Sequence, residues 1–426
     1  MRMASIEAQR NVISKYLILV LVVTFLAWLF DAMDLQVLTL VLFPTLHSLT
    51  GATAPAVIGR LGGALVGLKL FGWGVGGVVF GVVADRIGRK RTMIISMIIY
   101  SVFTGLSALA NSWDMLALMQ VLAGVGIGAE WSAGAALITE TWPEQYRAQA
   151  MQIMQTAFAV GYFCAAAFDL WLGGSGWRWV FVGVAVPGLL TAGITALIHE
   201  PERWQRLRRD PELQKTVAGT QPLRRIFAPD LRRVTIVGTV VALAMMVGSW
   251  GGTTWIPSWI HELLGPVNAT RSSTIVSYAT MLESGGAVVG YITLIWLTRA
   301  IGRRWSYFAF CLGALLSSLY LFTQIHTYQS VLVMMPFYGY FVIGGFGTFA
   351  AYLPELFPTI VRATGQGFAW NFARLITGIG PFIGGTLIAT LGSYPAASAT
   401  ISMVFVIGLF AIWFGPETRG KALRDV

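Results

Sequence analysis

Charged residues are scarce in this chain. Only 11% of its 426 residues are Asp, Glu, Lys or Arg, while 56% are hydrophobic, and soluble domains carry about a quarter charged residues. This shortage excludes an ordinary soluble protein. Cysteine and histidine are scarcer still. Cys164 and Cys311 lie in separate apolar runs, and the four histidines lack metal-ligand spacing, so we expect no disulfide framework, no metal site and no cofactor.

Long apolar runs dominate the rest of the chain. A membrane-spanning helix needs about 20 apolar residues, which leaves room for about twelve spans with short loops. The predicted spans are 16–43, 59–84, 92–110, 115–139, 148–172, 177–198, 233–258, 271–297, 304–324, 330–353, 362–391 and 394–415. The first run is too long and too acidic for a cleaved signal peptide, so we interpret it as a retained helix.

The cations follow the predicted topology. The formal net charge is +10, and most of the 29 Lys and Arg residues fall in alternate loops on the side of both termini. Basic loops face the cytoplasm. The pattern therefore predicts a multi-pass protein of the cell (inner) membrane with both termini cytoplasmic. It also explains the positive charge by topology and attraction to anionic lipid rather than by nucleic-acid binding.

The two halves of the chain repeat each other. Three short matches recur at a spacing of about 215 residues, each at the same kind of span boundary. The matching segments are 87–89 with 301–303, 140–148 with 355–363, and 201–202 with 416–417. The repeat predicts two six-helix bundles, at 1–198 and 233–426, joined by a cytoplasmic linker at 199–232.

The loop between the second and third spans is the most specific motif. The segment Gly81-Val-Val-Ala-Asp-Arg-Ile-Gly-Arg-Lys-Arg91 resembles the G-x-x-x-D-R-x-G-R-[KR] loop of the major facilitator superfamily of transporters. The resemblance implies an all-α membrane protein with twelve transmembrane helices in two six-helix repeats. It further implies a monomer that works by alternating access about a site near the midplane.

Two motifs in the first half resemble a narrower group, the sialate, lactate and aromatic-acid proton symporters. They are Phe30-Asp-Ala-Met-Asp34 in the first span and Gly124-Val-Gly-Ile-Gly-Ala-Glu-Trp131 in the fourth. Without a preceding strand, the three glycines of the second motif indicate close helix packing rather than a nucleotide loop.

Acidic residues within spans are candidate proton sites, because burying their charge in a membrane is costly. Asp31 and Asp34 are three residues apart and therefore share one helix face. The alternative for one of them is a helix-capping role or a permanent pair with Lys69. Glu130 is either a second proton site or the structural partner of a buried cation.

Arg374 is the candidate anion site, because a guanidinium matches the geometry of a carboxylate. Its alternative is a fixed ion pair with Glu283 or Asp34, and Lys69 is a rival anion site. We expect Trp370, Asn371 and Tyr338 to line the substrate site with Arg374.

Charged residues at the predicted cytoplasmic span ends form a second set. By resemblance to the superfamily, they would close the inner gate through ion pairs. The set comprises Asp85, Arg86, Arg89, Glu140, Arg147, Glu355 and Arg362. Because Arg299 stands where the first repeat has Asp85, we expect an asymmetric gate.

The function favoured by these residues is proton-coupled uptake of a small organic acid, such as an aromatic or pyridine carboxylate, lactate or sialate. The alternatives are a proton-coupled exporter of amphipathic compounds, or a sugar porter. The segments Pro201-Glu202 and Pro416-Glu417 resemble the Pro-Glu signatures of sugar porters. The chain carries no nucleophile–base set and no phosphate-binding loop that would indicate an enzyme.

Overall fold

Helices form the whole of the described fold. The structure, a computed structural model, describes residues 14–201, 205, 222–265, 269–358 and 361–419, and these contain no β-strand. Most of the predicted linker at 199–232 lies outside the described residues. The helices of the first half are α1 (Lys15–Leu40), α2 (Leu42–Thr50), α3 (Pro55–Ile87), α4 (Arg89–Ser107), α5 (Trp113–Ile127), α6 (Glu130–Thr141), α7 (Glu144–Leu172) and α8 (Trp177–Thr195).

The second half repeats this order. A short helix, α9 (Pro222–Ile226), precedes it. Its helices are α10 (Arg232–Thr253), α11 (Ile256–Leu264), α12 (Ala269–Ala300), α13 (Arg303–Gln324), α14 (Tyr328–Val342), α15 (Gly347–Leu356), α16 (Arg362–Thr377), α17 (Ile379–Leu391), α18 (Tyr394–Ser402) and α19 (Phe405–Ala411). Three 3₁₀ turns, Gly173–Ser175, Gly344–Phe346 and Ile412–Phe414, complete the elements.

Each of the twelve predicted spans coincides with one helix or with consecutive helices separated by a break. Among the described residues, nine helical stretches are long and apolar enough to cross a membrane. The third, fourth and eleventh predicted spans are not among these nine stretches. The fourth is interrupted at Gly128 and the eleventh at Gly378. Interrupted helices are common where transporters bind substrate and coupling ions.

The start of α4 explains one of the repeated motifs. Gly88 precedes the helix at φ +108°, a conformation that L side chains rarely adopt. The Glu200 carboxylate accepts hydrogen bonds from the backbone N–H groups of Arg89 (2.8 Å) and Arg91 (3.2 Å). A Cβ atom at Gly88 would lie 2.2 Å from a Glu200 oxygen, so glycine is required for this contact.

The second half repeats this arrangement at the start of α13. Gly302 has φ +89°, and Glu417 accepts from four backbone N–H groups, those of Arg303, Arg304, Thr418 and Arg419. Partial burial opposes ionisation of Glu417, but these four donors prevail and hold its pKa below the usual value. Acidic groups at helix N-termini are also favoured by the helix dipole. The repeated carboxylates are therefore helix caps.

The two halves meet along two pairs of long helices. Helix α7 packs against α12, and α3 packs against α17. The end of the bundle that carries Arg89, Glu200 and Glu417 is here termed the basic side, and the other end the opposite side. On the opposite side, a Cβ at Gly385 would lie 2.2 Å from the Gly59 carbonyl oxygen, so the backbones of α3 and α17 are in direct contact there.

Candidate transport site

Asp34 lies at the centre of a buried ion pair. Its carboxylate is 2.9 Å from the Lys69 ammonium, and neither side chain is more than 2% exposed. The same ammonium donates to the Asp34 backbone carbonyl at 2.9 Å, and the Thr104 hydroxyl donates to the other carboxylate oxygen. A permanent pair with Lys69 was the alternative role predicted for Asp31 or Asp34, and the structure shows this pair for Asp34.

Asp31, one turn earlier in α1, has a different environment. It is 0% exposed, and neither carboxylate oxygen has a hydrogen-bond partner in the described part of the chain. It lies within electrostatic reach of Glu130, Asp34, Arg374 and Lys69. A buried carboxylate without a hydrogen bond is costly, and protonation removes most of that cost.

Glu130 is the second buried acid of this kind. It begins α6, immediately after the interruption of the fourth span at Gly128. The side chain is 2% exposed, and neither of its oxygens has a hydrogen-bond partner among the described residues. It lies within electrostatic reach of Asp31, and no described cation forms an ion pair with it, so the alternative role as the partner of a buried cation has no described contact to support it.

Arg374 occupies the last turn of α16, just before the interruption at Gly378. Its guanidinium carbon lies 3.5 Å from the ring centroid of Trp73 and 5.1 Å from that of Trp370. No described carboxylate lies within ion-pair distance of this side chain, so the fixed ion pair with Glu283 or Asp34 is not formed. Arg374 is thus a buried cation held by aromatic faces.

Aromatic rings connect the two halves around Arg374. Trp131 stacks on Trp370 with centroids 4.9 Å apart and an interplanar angle of 17°. Trp73 meets Trp250 edge-on at 6.3 Å, and Phe158 approaches Phe346 at 6.1 Å. Each pair joins one residue of the first half to one of the second. The rings around Arg374 therefore form an aromatic cluster at the centre of the bundle, and this cluster together with the buried charges is here termed the chamber. Of its described cations, Lys69 is paired with Asp34, and Arg374 has no ion pair among the described residues.

The remaining predicted lining residues lie on the second half. Asn371 faces Gly77 closely enough that a Cβ there would lie 2.7 Å from its amide oxygen. Tyr338 is fully buried, and its hydroxyl is 3.2 Å from that of Thr253. Thr253 also donates to Glu283 at 3.2 Å, which identifies a partner for Glu283 that the sequence did not indicate.

Three of the residues predicted to form a gate, Arg89, Glu140 and Glu355, make described ion pairs within one half on the basic side. Arg89 is 3.2 Å from Glu140, and Arg303 is 2.7 Å from Glu355. The side chains of Asp85, Arg86, Arg147 and Arg362 lie outside the described part of the chain. Although Arg299 replaces Asp85 in the second repeat, the arginine–glutamate pair is duplicated, so the asymmetry we expected does not extend to it.

Several contributors to these sites are absent from the predicted set, among them Trp73, Trp250, Arg303 and Glu200. Trp73 and Trp250 were among many tryptophans, and nothing in their spacing marks them as chamber walls. Arg303 and the capping role of Glu200 could have been predicted from the sequence, because the repeat aligns Arg303 with Arg89 and places Glu200 next to Pro201.

Twelve predicted spans in two repeats, with a buried charged centre between them, are the organisation typical of a secondary transporter. The chain belongs to the Major Facilitator Superfamily, whose sequence profile matches residues 20–374. It is therefore a multi-pass membrane transporter and not an enzyme.

Two relatives illustrate what the chain is similar to. It is 32% identical over 373 residues to a chain of Haemophilus influenzae named as a metabolite transport protein, covering 85% of this chain and 88% of the relative. It is 27% identical over 388 residues to the cis,cis-muconate transport protein of Acinetobacter baylyi, covering 90% and 88% of the two chains.

The fold also matches a solved structure. The xylose transporter of Escherichia coli, in a partially occluded inward-open conformation, superimposes with a TM-score of 0.76. The match covers 96% of this chain and 100% of the other at 19% identity. At that identity the likeness concerns the fold alone.

Proposed function

We propose that this transporter carries a small organic acid together with a proton. The observation that supports this most directly is the chamber itself: among the described residues, Arg374 has aromatic contacts and no ion pair, and the carboxylates of Asp31 and Glu130 have no hydrogen-bond partner. The muconate carried by the Acinetobacter relative is a carboxylate, which agrees with an anion as the substrate.

Arg374 is the proposed anion site. A guanidinium over an aromatic face keeps its N–H edge available for two parallel hydrogen bonds to a carboxylate. Trp73 and Trp370 lie against it, and Trp131 stacks on Trp370, which adds flat apolar surface nearby. A conjugated or aromatic carboxylate fits that combination, because its planar body can stack while its charged end pairs with Arg374.

Asp31 and Glu130 are the proposed proton sites. Neither has a hydrogen-bond partner among the described residues, whereas Asp34 is paired with Lys69. The sequence leaves both Asp31 and Asp34 as candidates for the proton; in this proposal Asp34 keeps Lys69 in place, and Asp31 carries the exchangeable proton.

Charge provides the coupling. Arg374 lies within electrostatic reach of Asp31. When Asp31 is ionised, its carboxylate therefore competes with the carboxylate of the substrate for the positive charge of Arg374. Protonation of Asp31 removes that competition, so the proton and the anion each favour binding of the other. By linkage the effect is reciprocal.

The cycle we propose is a rocking of residues 1–198 against residues 233–426 around the chamber. The basic side is assigned to the cytoplasm because cations accumulate there, which places both termini inside. The carrier works as a monomer, since each chain contains a complete chamber between its own halves.

A ligand screen tests this proposal directly. Purified protein is heated with benzoate, nicotinate, cis,cis-muconate, lactate, a sialate, an aromatic cation or xylose, at pH 5.5 and 7.5. Binding stabilises the folded state by about RT ln(1 + [L]/Kd). We expect stabilisation by a carboxylate, larger at pH 5.5 and lost in Arg374→Ala. Stabilisation only by the cation or the sugar would contradict the proposal.

A further inference from the structure

A hydrogen-bonded cluster joins the two halves on the opposite side of the bundle, and none of its residues belongs to the chamber. Asp169, in the last turn of α7, is only 3% exposed. One of its carboxylate oxygens accepts hydrogen bonds from Ser273 and Ser277, both at 2.8 Å. The Ser273 hydroxyl also lies 3.1 Å from the Asp169 backbone carbonyl oxygen. Both serines belong to α12, so each of these bonds crosses from one half to the other.

The surrounding backbone is shaped to this contact. A Cβ atom at Gly173 would lie 2.4 Å from the Ser273 hydroxyl oxygen and 2.6 Å from an Asp169 carboxylate oxygen. Gly173 has ordinary helical dihedrals at φ −61°, so its backbone does not require glycine. The missing side chain leaves the space through which the serine reaches the carboxylate.

Other contacts close the same end. Phe43, in α2 of the first half, stacks on His261, in α11 of the second, with centroids 4.9 Å apart. His261 in turn is hydrogen-bonded to Ser272, the neighbour of Ser273. Together with the contact between Gly59 and Gly385, these interactions make the opposite side the closed side of the described structure.

We propose that Asp169, Ser273 and Ser277 form a latch that holds the opposite side closed and must open once in every transport cycle. A rocking transporter needs interactions that exist in one state and vanish in the other, because only differential contacts bias an equilibrium. Hydrogen bonds that cross the halves are lost when that side opens. Asp169 is thus a positioning residue, which sets the population of the closed state and does not touch the substrate. The proposal rests on alternating access and is independent of which substrate is carried.

Distance measurements between the two halves test the latch. Spin labels are attached at Thr53→Cys and Gln324→Cys, exposed positions at the opposite-side ends of the first and second halves. The background carries Cys164→Ala and Cys311→Ala, because both native cysteines are free. The protein is reconstituted in lipid without substrate, and pulsed electron paramagnetic resonance gives the distribution of label distances.

The parent is expected to show mainly the short distance of the closed side. Hydrogen bonds to a charged group are strong enough that losing two of them shifts an equilibrium by about tenfold or more. We therefore expect Asp169→Ala and the double variant Ser273→Ala/Ser277→Ala to raise the ratio of long to short distances by at least about tenfold. Gly173→Ala should act in the same direction by pushing the serine from the carboxylate.

Two controls separate the latch from a general loss of structure. Asp114→Ala removes an exposed carboxylate at the start of α5, on the same side and in the same half, and should leave the distribution unchanged. Asp169→Asn retains an acceptor oxygen and should restore most of the short-distance population. Unchanged distributions in Asp169→Ala and in the double serine variant would overturn the proposal, as would a parent that is already open on this side. Neither result depends on the ligand screen, so the latch and the organic-acid proposal can fail separately.

Discussion

At the scale of single residues, the chamber sorts its charges by their partners. Asp34 and Lys69 form an ion pair, and Arg374 lies over the ring of Trp73. The carboxylates of Asp31 and Glu130 have no hydrogen-bond partner within the described ranges. Removing one member of a buried ion pair is expensive, because the other charge is left without compensation. The Asp34–Lys69 pair is therefore distinguished by its ion pair from Asp31 and Glu130, the proposed proton sites.

The Lys69–Asp34 pair gives the first prediction. Lys69→Met leaves the Asp34 carboxylate buried with only Thr104 as donor and should cost about 3–5 kcal/mol of stability. Adding Asp34→Asn removes the orphaned charge and should recover part of the loss. Unfolding of the two single variants and the double variant in detergent measures this cycle. Strictly additive losses would show that the two side chains are not coupled.

Glu417 gives a prediction with a pH dependence. Its pKa is lowered in the folded protein by backbone N–H donors that outweigh its partial burial, so its stabilising effect is present at neutral pH. That effect is lost as the pH falls through the folded-state pKa. Glu417→Gln should therefore lower stability at pH 7 by about 1 kcal/mol, the size of a helix-terminal charge effect.

The difference between wild type and Glu417→Gln should shrink as the pH approaches the acid limit of folding. Thermal melts of both proteins across that range test the sign. A difference that grows on acidification would show that Glu417 is not held in its ionised form by the start of α13.

At the scale of helices, glycines determine how closely the spans approach. The sequence predicted that the glycines of 124–128 serve helix packing, and the structure confirms it. A Cβ at Gly124 would lie 2.2 Å from the Lys69 carbonyl oxygen, and one at Gly128 would lie 2.2 Å from the Gly77 nitrogen. The contact brings the helix that carries Lys69 directly against the fourth span.

Two alanine substitutions test this packing against a matched control. Gly124→Ala must displace backbone atoms and should destabilise the protein by about 1–3 kcal/mol. Gly193→Ala, within α8, meets no atom within 4 Å and should stabilise by about 0.5–1 kcal/mol, because alanine loses less entropy in a helix. Melting temperatures of the two variants should move in opposite directions. A stable Gly124→Ala protein would remove the packing argument.

Much of this helical architecture could be predicted from the sequence, for identifiable reasons. Apolar runs and the repeat of Gly88-Arg89 as Gly302-Arg303 mark span ends. Charges inside spans are rare enough that Asp31, Glu130 and Arg374 stood out individually. Which of the possible pairs forms could not be predicted, because whether Asp34 meets Lys69 or Arg374 depends on how helices from different parts of the chain rotate against one another.

At the scale of the whole molecule, the described contacts differ between the two ends of the bundle: those on the opposite side join the two halves, whereas the ion pairs on the basic side lie within one half. The described structure is closed on the opposite side, where Gly59 meets Gly385 and Asp169 meets the serines of α12. The ion pairs on the basic side, Arg89–Glu140 and Arg303–Glu355, each remain within one half. In the rocking cycle proposed above, these two pairs would stay intact while the halves move.

Proton coupling is the central claim for the whole molecule. It requires that an inward proton gradient drive the substrate uphill, and that Asp31 release its proton once in each cycle. Asparagine at this position mimics only the protonated carboxyl group, so Asp31→Asn should bind the acid and exchange it across the membrane without using the gradient. Asp114→Asn, on the surface of the same half, is the matched control and should behave as wild type.

The most direct measurement is uptake of the acid identified by the ligand screen into proteoliposomes, with and without an acidic exterior. The account predicts accumulation above the external concentration only when the exterior is acidic. It also predicts loss of that accumulation, with exchange preserved, in Asp31→Asn. Uphill accumulation without a proton gradient, or full accumulation in Asp31→Asn, would contradict the account.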